Sequence, residues 1–247
     1  MDVVILAGGK CDSELCRATG AEYRADIKFG EKTLCEIVLD ATRPFGEPIL
    51  VGGAESYSGR RVASGENFCD SLGNGLGAVE TEKFLLVTVD LPCLTTESLN
   101  DFVSHCKPEA GLNFPIVRKE DCDRAFPGMK RTTLKLREGE FTGGNVALMD
   151  AAMMRRALPV MERAYALRKK PMKLAQMVGF GVLFRVVVGQ VAPRTLPLRC
   201  LEQGVGRFLG VTVHGVASSY AELGSDLDKA DQYEAFASAR KRMGLDP

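Results

Sequence analysis

The sequence predicts a three-layer α/β/α fold built on a mostly parallel, doubly wound mixed sheet. Three observations carry that expectation. Asp2 to Leu6 is a β-branched, aliphatic run that stops at Ala7-Gly8-Gly9, where the chain can turn sharply. Phe84 to Val89 (FLLVTV) is apolar without alternation, the pattern of a strand buried on both faces. Between and after these, short apolar runs alternate with stretches of helical period.

Taken in order, Cys11 to Ile27 is polar and irregular. Thr33 to Ala41 reads as a helix with Leu34, Ile37, Val38 and Ala41 on one face. Glu47-Pro48 leads into a second strand, Ile49 to Val51, which ends at Gly52-Gly53; Asn67 to Glu80 offers a helix weakened by Gly73, Gly75 and Gly77. After the FLLVTV strand come Asp90-Leu91-Pro92, then Thr95 and Thr96 as caps of a helix from Glu97 to Cys106, and a strand from Ala110 to Val117. Arg131 to Leu136 alternates as a half-exposed strand. Phe141-Thr142-Gly143-Gly144-Asn145 precedes another strand at Val146 to Met149.

From Asp150 the pattern turns helical, so residues 150–207 read as a helical insertion within a single domain spanning 1–247. The apolar stretch Val178 to Val188 is shorter than the roughly 18 to 20 residues of a membrane span and carries Arg185, which points to a buried or interfacial helix. Leu174 to Arg207 is expected to form a lid or an oligomer surface, with ordinary packing on the sheet as the alternative. The basic residues Arg163, Arg168, Lys169, Lys170 and Lys173 read as a solvated face or as an anion contact. Val211 to Val216 returns as a strand, Gly224 to Asp228 is a turn, and Asp231 caps a last helix reaching Met243.

Lys+Arg and Asp+Glu balance at 32 each, so no overall field favours nucleic acid or an anionic membrane. Eight cysteines occur without a C-x-x-C pair, and the two histidines are His105 and His214, so a zinc site is not expected. Unpaired thiols in this number suit a reducing cytoplasm, with most of them as small core residues. The N-terminus lacks a basic n-region and a cleavage site, so its first strand belongs to the fold. A monomer and a homodimer fit the sequence equally.

The glycine pair after the first strand is either a plain turn or a phosphate cradle of bare amides. A P-loop is excluded because Cys11 follows Lys10, and no G-x-G-x-x-G spacing is present. Asp90, at the tip of the central strand and stiffened by Pro92, is placed to cap the next helix or to bind a metal. Asp226 and Asp228 also follow a strand, and a parallel sheet can bring them beside Asp90. Two acidic sites flanking a glycine loop are what a Mg²⁺-bridged polyphosphate requires.

LAGGK at Leu6 to Lys10, VDLPCL at Val89 to Leu94, TGGN at Thr142 to Asn145 and GSDLDKADQY at Gly224 to Tyr233 occur in that order and span nearly the whole chain. In these motifs and their order the chain resembles the MobA-like nucleotidyltransferases. The resemblance implies a Rossmann-like fold of the nucleoside-diphospho-sugar-transferase type. It also implies an enzyme that joins an NTP to a small phosphorylated acceptor (a sugar phosphate, alcohol phosphate or cofactor precursor) with release of pyrophosphate and with Mg²⁺ or Mn²⁺. By the same resemblance Leu6, Ala7, Gly8, Gly9, Lys10 and Asn67 would receive the nucleotide, Asp90, Asp226 and Asp228 the metal, and Gly143, Gly144 and Asn145 the acceptor. The family's compact R-M-G-x-x-K loop is absent here. Arg24 or Lys28 would then take its phosphate-binding role beside Asp90 in catalysis, with Arg17 and Lys10 as further candidates. Competing readings are a glycosyltransferase of the same fold, although Thr88-Val89-Asp90 is not its usual D-x-D, and a nucleotide-binding regulator without turnover.

Overall fold

The computed structural model of the chain describes residues 1–167 and 187–245. In chain order its strands are β1 (Asp2–Leu6), β2 (Lys28–Phe29), β3 (Lys32–Thr33), β4 (Pro48–Val51), β5 (Arg60–Val62), β6 (Lys83–Thr88), β7 (Leu112–Arg118), β8 (Leu134–Leu136), β9 (Gly139–Gly143), β10 (Val146–Asp150) and β11 (Val213–Ser218). The α-helices are α1 (Ser13–Thr19), α2 (Leu34–Thr42), α3 (Phe68–Gly77), α4 (Thr96–His105), α5 (Lys119–Ala125), α6 (Ala151–Ala166), α7 (Leu198–Leu209) and α8 (Tyr233–Arg242).

The sheet runs β5-β4-β1-β6-β10-β7-β9-β8, and β11 also pairs with β7. β1 lies parallel between β4 and β6, with Val4 level with Ile49 and with Leu86. β10 is antiparallel to both β6 and β7, and β11 returns parallel to β7 with Val213 level with Leu112. This is the mostly parallel mixed sheet expected from the sequence.

Two apolar layers explain why β1 and β6 lack alternation. Val3, Ile5, Leu85 and Val87 pack on one face with Leu34, Ile37 and Val38 of α2 and with Leu99 and Phe102 of α4. Val4, Phe84 and Leu86 face the other way, onto Leu72 and Leu76 of α3 and Met154 and Ala157 of α6. Local chemistry sets the helix ends: Thr33 and Glu36 form a capping box on α2, and Thr95 accepts from the Ser98 N–H on α4.

The structure departs from the sequence reading in five places, one of them the start of the last helix, where Gln232 and not Asp231 stands at the N-cap of α8. Cys11 to Ile27 is not irregular throughout. Asp12 accepts from the Glu14 and Leu15 N–H groups at 3.0 and 2.7 Å, and left-handed Gly20 (φ 73°) stops the helix α1 between them. Residues after β7 continue into the short helix α5, which periodicity over seven residues does not announce. The strand expected from Arg131 begins only at Leu134, so 127–133 is loop. The short strands β2, β3 and β5 were also not expected.

Within the helical insertion, α6 forms as the sequence suggests. Residues 168–186, which hold most of the Val178 to Val188 run and the first part of the expected 174–207 lid, lie outside the described residues. The rest of that stretch is packed in place: Leu196, Leu198, Cys200 and Leu201 lie with Leu134, Leu136 and Phe141 of the β8–β9 hairpin. The Arg137 N–H donates to the Leu196 carbonyl at 2.9 Å and the Leu198 N–H to Glu138 Oε2 at 3.0 Å. Among the described residues no helix is long and apolar enough to cross a membrane.

Asp2, only 7 % exposed, fastens the sheet where β1 begins. Its Oδ2 accepts from the Glu80 and Thr81 N–H groups at 2.7 and 3.0 Å, and its Oδ1 from Arg60 Nη2 at 2.9 Å. Burial alone would raise its pKa, but these donors outweigh it and hold the carboxyl below its ordinary value. Asp2→Ala leaves two part-buried amides without their acceptor and is expected to cost roughly 1 to 2 kcal/mol in urea unfolding. Because the shift is downward, the contribution is complete above the ordinary aspartate pKa of about 3.9 and is lost as pH falls through the lower folded value. The gap between wild type and Asp2→Ala should therefore close in acid.

Candidate active site

Parallel strands deliver their carboxyl ends to one edge of a sheet, and β1, β4, β6 and β11 do so here. At this edge the glycine turns after β1 and β4 interlock. A Cβ on Gly8 would sit 2.5 Å from the Ser64 Cβ, and one on Gly52, whose φ is 77°, 2.6 Å from the Gly8 Cα. Only bare backbone fits on either side. A cleft of about 570 Å³ opens beside them, lined by Gly8, Gly52, Gly53, Tyr23, Asp26 and Arg61 among others.

Beyond the end of β6 lies Asp90. The helix that follows takes its cap from Thr95, so Asp90 is not used as a cap. Its backbone carbonyl accepts from the Leu227 N–H at 2.9 Å, which lays the Gly224–Asp228 turn against it. Leu227 is fully buried, and its two neighbours in the alternation, Asp226 and Asp228, emerge on the site side. One carboxylate oxygen from each of Asp90, Asp226 and Asp228 comes within 4.8 Å of the others. Burial first, then the charges of Asp90 and Asp228, pushes the Asp226 carboxyl up to about 6, against a hydrogen bond from Asn145. Asp90 Oδ1 is buried without a hydrogen-bond partner. An all-oxygen carboxylate set with an unused buried oxygen fits a hard divalent cation.

Arg24 reaches these acids from the segment that follows α1. Its N–H donates to the Gly9 carbonyl at 2.9 Å, and its Nη1 donates to Asp90 Oδ2 at 2.7 Å and to Asp228 Oδ1 at 2.9 Å. Burial would lower the guanidinium pKa, but the two carboxylates raise it further, so the charge is secured. The other basic candidates go elsewhere. Lys10 pairs with Glu22 at 2.9 Å, Arg17 turns back to the Ser13 carbonyl, and Lys28 lines a separate, smaller pocket with Thr19 and Tyr233. The structure therefore brings Arg24, and not Lys28, to Asp90.

Asn67 is also differently employed. Its Oδ1 accepts from the Cys69 and Asp70 N–H groups and its Nδ2 donates to Asp70, so both ends of the amide cap α3, and it does not line the glycine cleft. Leu6 ends β1, and its carbonyl accepts from the Val89 N–H at 3.2 Å, while buried Ala7 donates to the Val51 carbonyl. On the far side, Gly143 has open space where a Cβ would stand. Gly144 does not: a Cβ there would meet Pro115 Cγ at 2.5 Å and the Leu223 carbonyl oxygen at 2.6 Å. The bareness of Gly144 thus seats the chain of the Asp226 turn, and the Asn145 N–H donates to the same Leu223 carbonyl at 3.0 Å.

A second cleft, of about 660 Å³, lies on this side of the carboxylates, walled by residues 127–132 and by the Asp226 turn. Arg131, which the sequence assigns to a strand, lines this cleft from the loop, with its side chain 8 % exposed. The Pro127-Gly128 turn followed by Lys130-Arg131 is the signal that could have marked it as a loop with a basic tip.

A family model for the MobA-like NTP transferase domain matches residues 3–169. The fold is similar to a hypothetical transferase from Thermus thermophilus, at 35 % identity and a TM-score of 0.83, covering 93 % of this chain and 97 % of that one. It is also similar to a nucleotidyl transferase from Methanothermobacter (17 % identity, TM-score 0.59, covering 98 % and 99 %). A third likeness is to the 2-C-methyl-D-erythritol 4-phosphate cytidylyltransferase of Thermus thermophilus (19 %, 0.56, covering 97 % and 98 %). At those lower identities the likeness is one of fold. No curated protein sequence matches. With the glycine turn of β1 and Asp90 both inside the matched span, the chain belongs to the MobA-like NTP transferase domain family and is a transferase.

Proposed function

We propose that this chain is a divalent-metal-dependent nucleotidyltransferase that joins an NTP to a small phosphorylated acceptor, a sugar phosphate, alcohol phosphate or cofactor precursor, and releases pyrophosphate. The observation that carries this reading is the convergence of Asp90, Asp226 and Asp228 within 4.8 Å, with Asp226 and Asp228 lining one cleft and the glycine turns of the same sheet edge lining another.

The nucleotide lies over the Gly8 and Gly52 turns, where the absence of side chains lets phosphate approach the backbone. The acceptor enters the opposite cleft. An oxygen of its phosphate forms a bond to the α-phosphorus of the NTP, the bond from that phosphorus to the bridging oxygen breaks, and pyrophosphate departs. Asp90, Asp226 and Asp228 would hold Mg²⁺ or Mn²⁺, which supplies charge neutralisation on the phosphoryl oxygens. Arg24, whose backbone N–H is held on the Gly9 carbonyl, presents a fixed positive charge to the triphosphate. Little covalent work falls to the protein, so positioning and charge are what these residues contribute.

A matrix of NTPs against phosphorylated sugars, alditols and cofactor precursors, read as pyrophosphate with Mg²⁺ and with EDTA, tests the reaction. Pyrophosphate is expected from one acceptor class and only with metal; release that persists in EDTA would remove the metal, and none from any pair would remove the reaction. Asp90→Asn, which keeps the shape of the side chain, should lower kcat by roughly 10²- to 10³-fold in a variant that still folds. Arg24→Ala should raise the NTP KM about tenfold or more, the loss of a charged hydrogen bond worth roughly 1.5 to 3 kcal/mol. Nucleotide affinity equal to wild type in that variant would take Arg24 away from the triphosphate.

A further inference from the structure

Arg24 and a divalent cation have claims on the same two oxygens. One guanidinium nitrogen, Nη1, donates to Asp90 Oδ2 at 2.7 Å and to Asp228 Oδ1 at 2.9 Å, so it stands between two of the three carboxylates that fit a metal. A hard cation takes carboxylate oxygens at roughly 2.0 to 2.6 Å, inside the distance at which Nη1 stands from either one. A cation bridging Asp90 Oδ2 and Asp228 Oδ1 would therefore lie where that nitrogen lies, and two positive charges that close repel strongly in a partly buried site.

The bridged pose is anchored at its root and loosely kept at its tip. The Arg24 N–H holds the Gly9 carbonyl at 2.9 Å, and Cδ passes 3.8 Å from the point where a Cβ on Gly9 would stand. The side chain thus runs along the glycine turn on its way to the acids, and a change of its own rotamer re-aims the guanidinium without moving the main chain. Asp228 is 57 % exposed, against 15 % for Asp90, so one side of the bridge borders water. Nε is buried without a hydrogen-bond partner, so the pose leaves one donor of the fork unsatisfied. The two ion pairs hold the guanidinium here and the orphaned donor weighs against it; a cation on the carboxylate oxygens removes the first and leaves the second.

We propose that Arg24 is a metal-released phosphate clamp: a divalent cation takes Asp90 and Asp228 from the guanidinium, and the freed fork then closes on the triphosphate beside the glycine turn. The proposal rests on the nucleotidyl-transfer reading above and adds a coupling between metal and nucleotide that runs through one residue. A guanidinium fork meets two phosphate oxygens together, so what the acids lose the triphosphate gains.

The coupling gives Arg24→Ala effects of opposite sign on the two ligands. Mn²⁺ alone, followed on the full chain by loss of the free-ion electron paramagnetic resonance signal, should bind at least fivefold tighter in Arg24→Ala than in wild type. The α,β-methylene analogues of the four NTPs, each with saturating Mg²⁺, should bind at least tenfold more weakly. In wild type the two Nη groups of Arg24, distinct in nitrogen resonance while the bridge hinders rotation, should merge on saturation with Mg²⁺ alone, and Nε–H should shift. Weaker Mn²⁺ binding in Arg24→Ala, which a merely structural brace between the two acids predicts, would overturn the proposal. So would Nη groups that stay distinct at saturating Mg²⁺, which is the result expected if Arg24 only repels the cation from a bridge left intact. Should Arg24→Ala not fold, the wild-type resonances decide alone. Failure of the nucleotidyl-transfer reading shows separately, as no pyrophosphate from any NTP and acceptor pair, while the metal titration needs neither substrate and still reports whether the cation displaces Arg24.

Discussion

Three carboxylates whose oxygens lie within 4.8 Å of one another repel strongly in a partly buried site, and the rest of this edge of the sheet is arranged to make that tolerable. Arg24 bridges two of them, Asp90 and Asp228. The third, Asp226, is the one pushed up to about 6 by burial and by its neighbours, with Asn145 as its hydrogen-bonding support. Each tie comes from a different part of the chain: the segment after α1, the tip of β6, the start of β10 and the turn after β11. The acids are therefore a device that closes the fold at this edge as well as a set of ligands, and a cation added there relieves repulsion that one arginine only partly offsets.

How much of this was legible in the sequence follows from how local each signal is. β1, the FLLVTV strand and the Thr95 cap are written within a few residues of where they act, and they stand as read. The meeting of Asp90 with Asp226 and Asp228 was legible because strand ends of a parallel sheet share an edge. Arg24 could be shortlisted with Lys28, Lys10 and Arg17, but the choice between them depended on the path of α1, which seven residues between Asp12 and Gly20 do not announce by periodicity. Asn67 and Gly144 each have a structural use that the sequence does not announce. One is a polar side chain fully used by its own helix, and the other is a glycine emptied for Pro115 and Leu223, which only the folded chain brings near.

Strand direction explains how both sides of the site come to be equipped. A parallel strand offers this edge only the loop that follows it, whereas β10, running antiparallel between β6 and β7, offers the residues that precede it. That reversal is what places Thr142 to Asn145 at the edge where Asp90 and the Asp226 turn already end. Had β10 run parallel, its Gly144 and Asn145 would stand at the opposite edge, and the Leu223 carbonyl would lose both the Asn145 donor and the bare surface it packs on. The Asp226 turn would then be without its seat. The same reversal leads β9 into the hairpin with β8, and the loop entering that hairpin, 127–133, is the one that carries Arg131 into the second cleft. The strands β9 and β10, both running against the rest of a mostly parallel sheet, thus equip the charged flank of the site opposite the glycine-lined one.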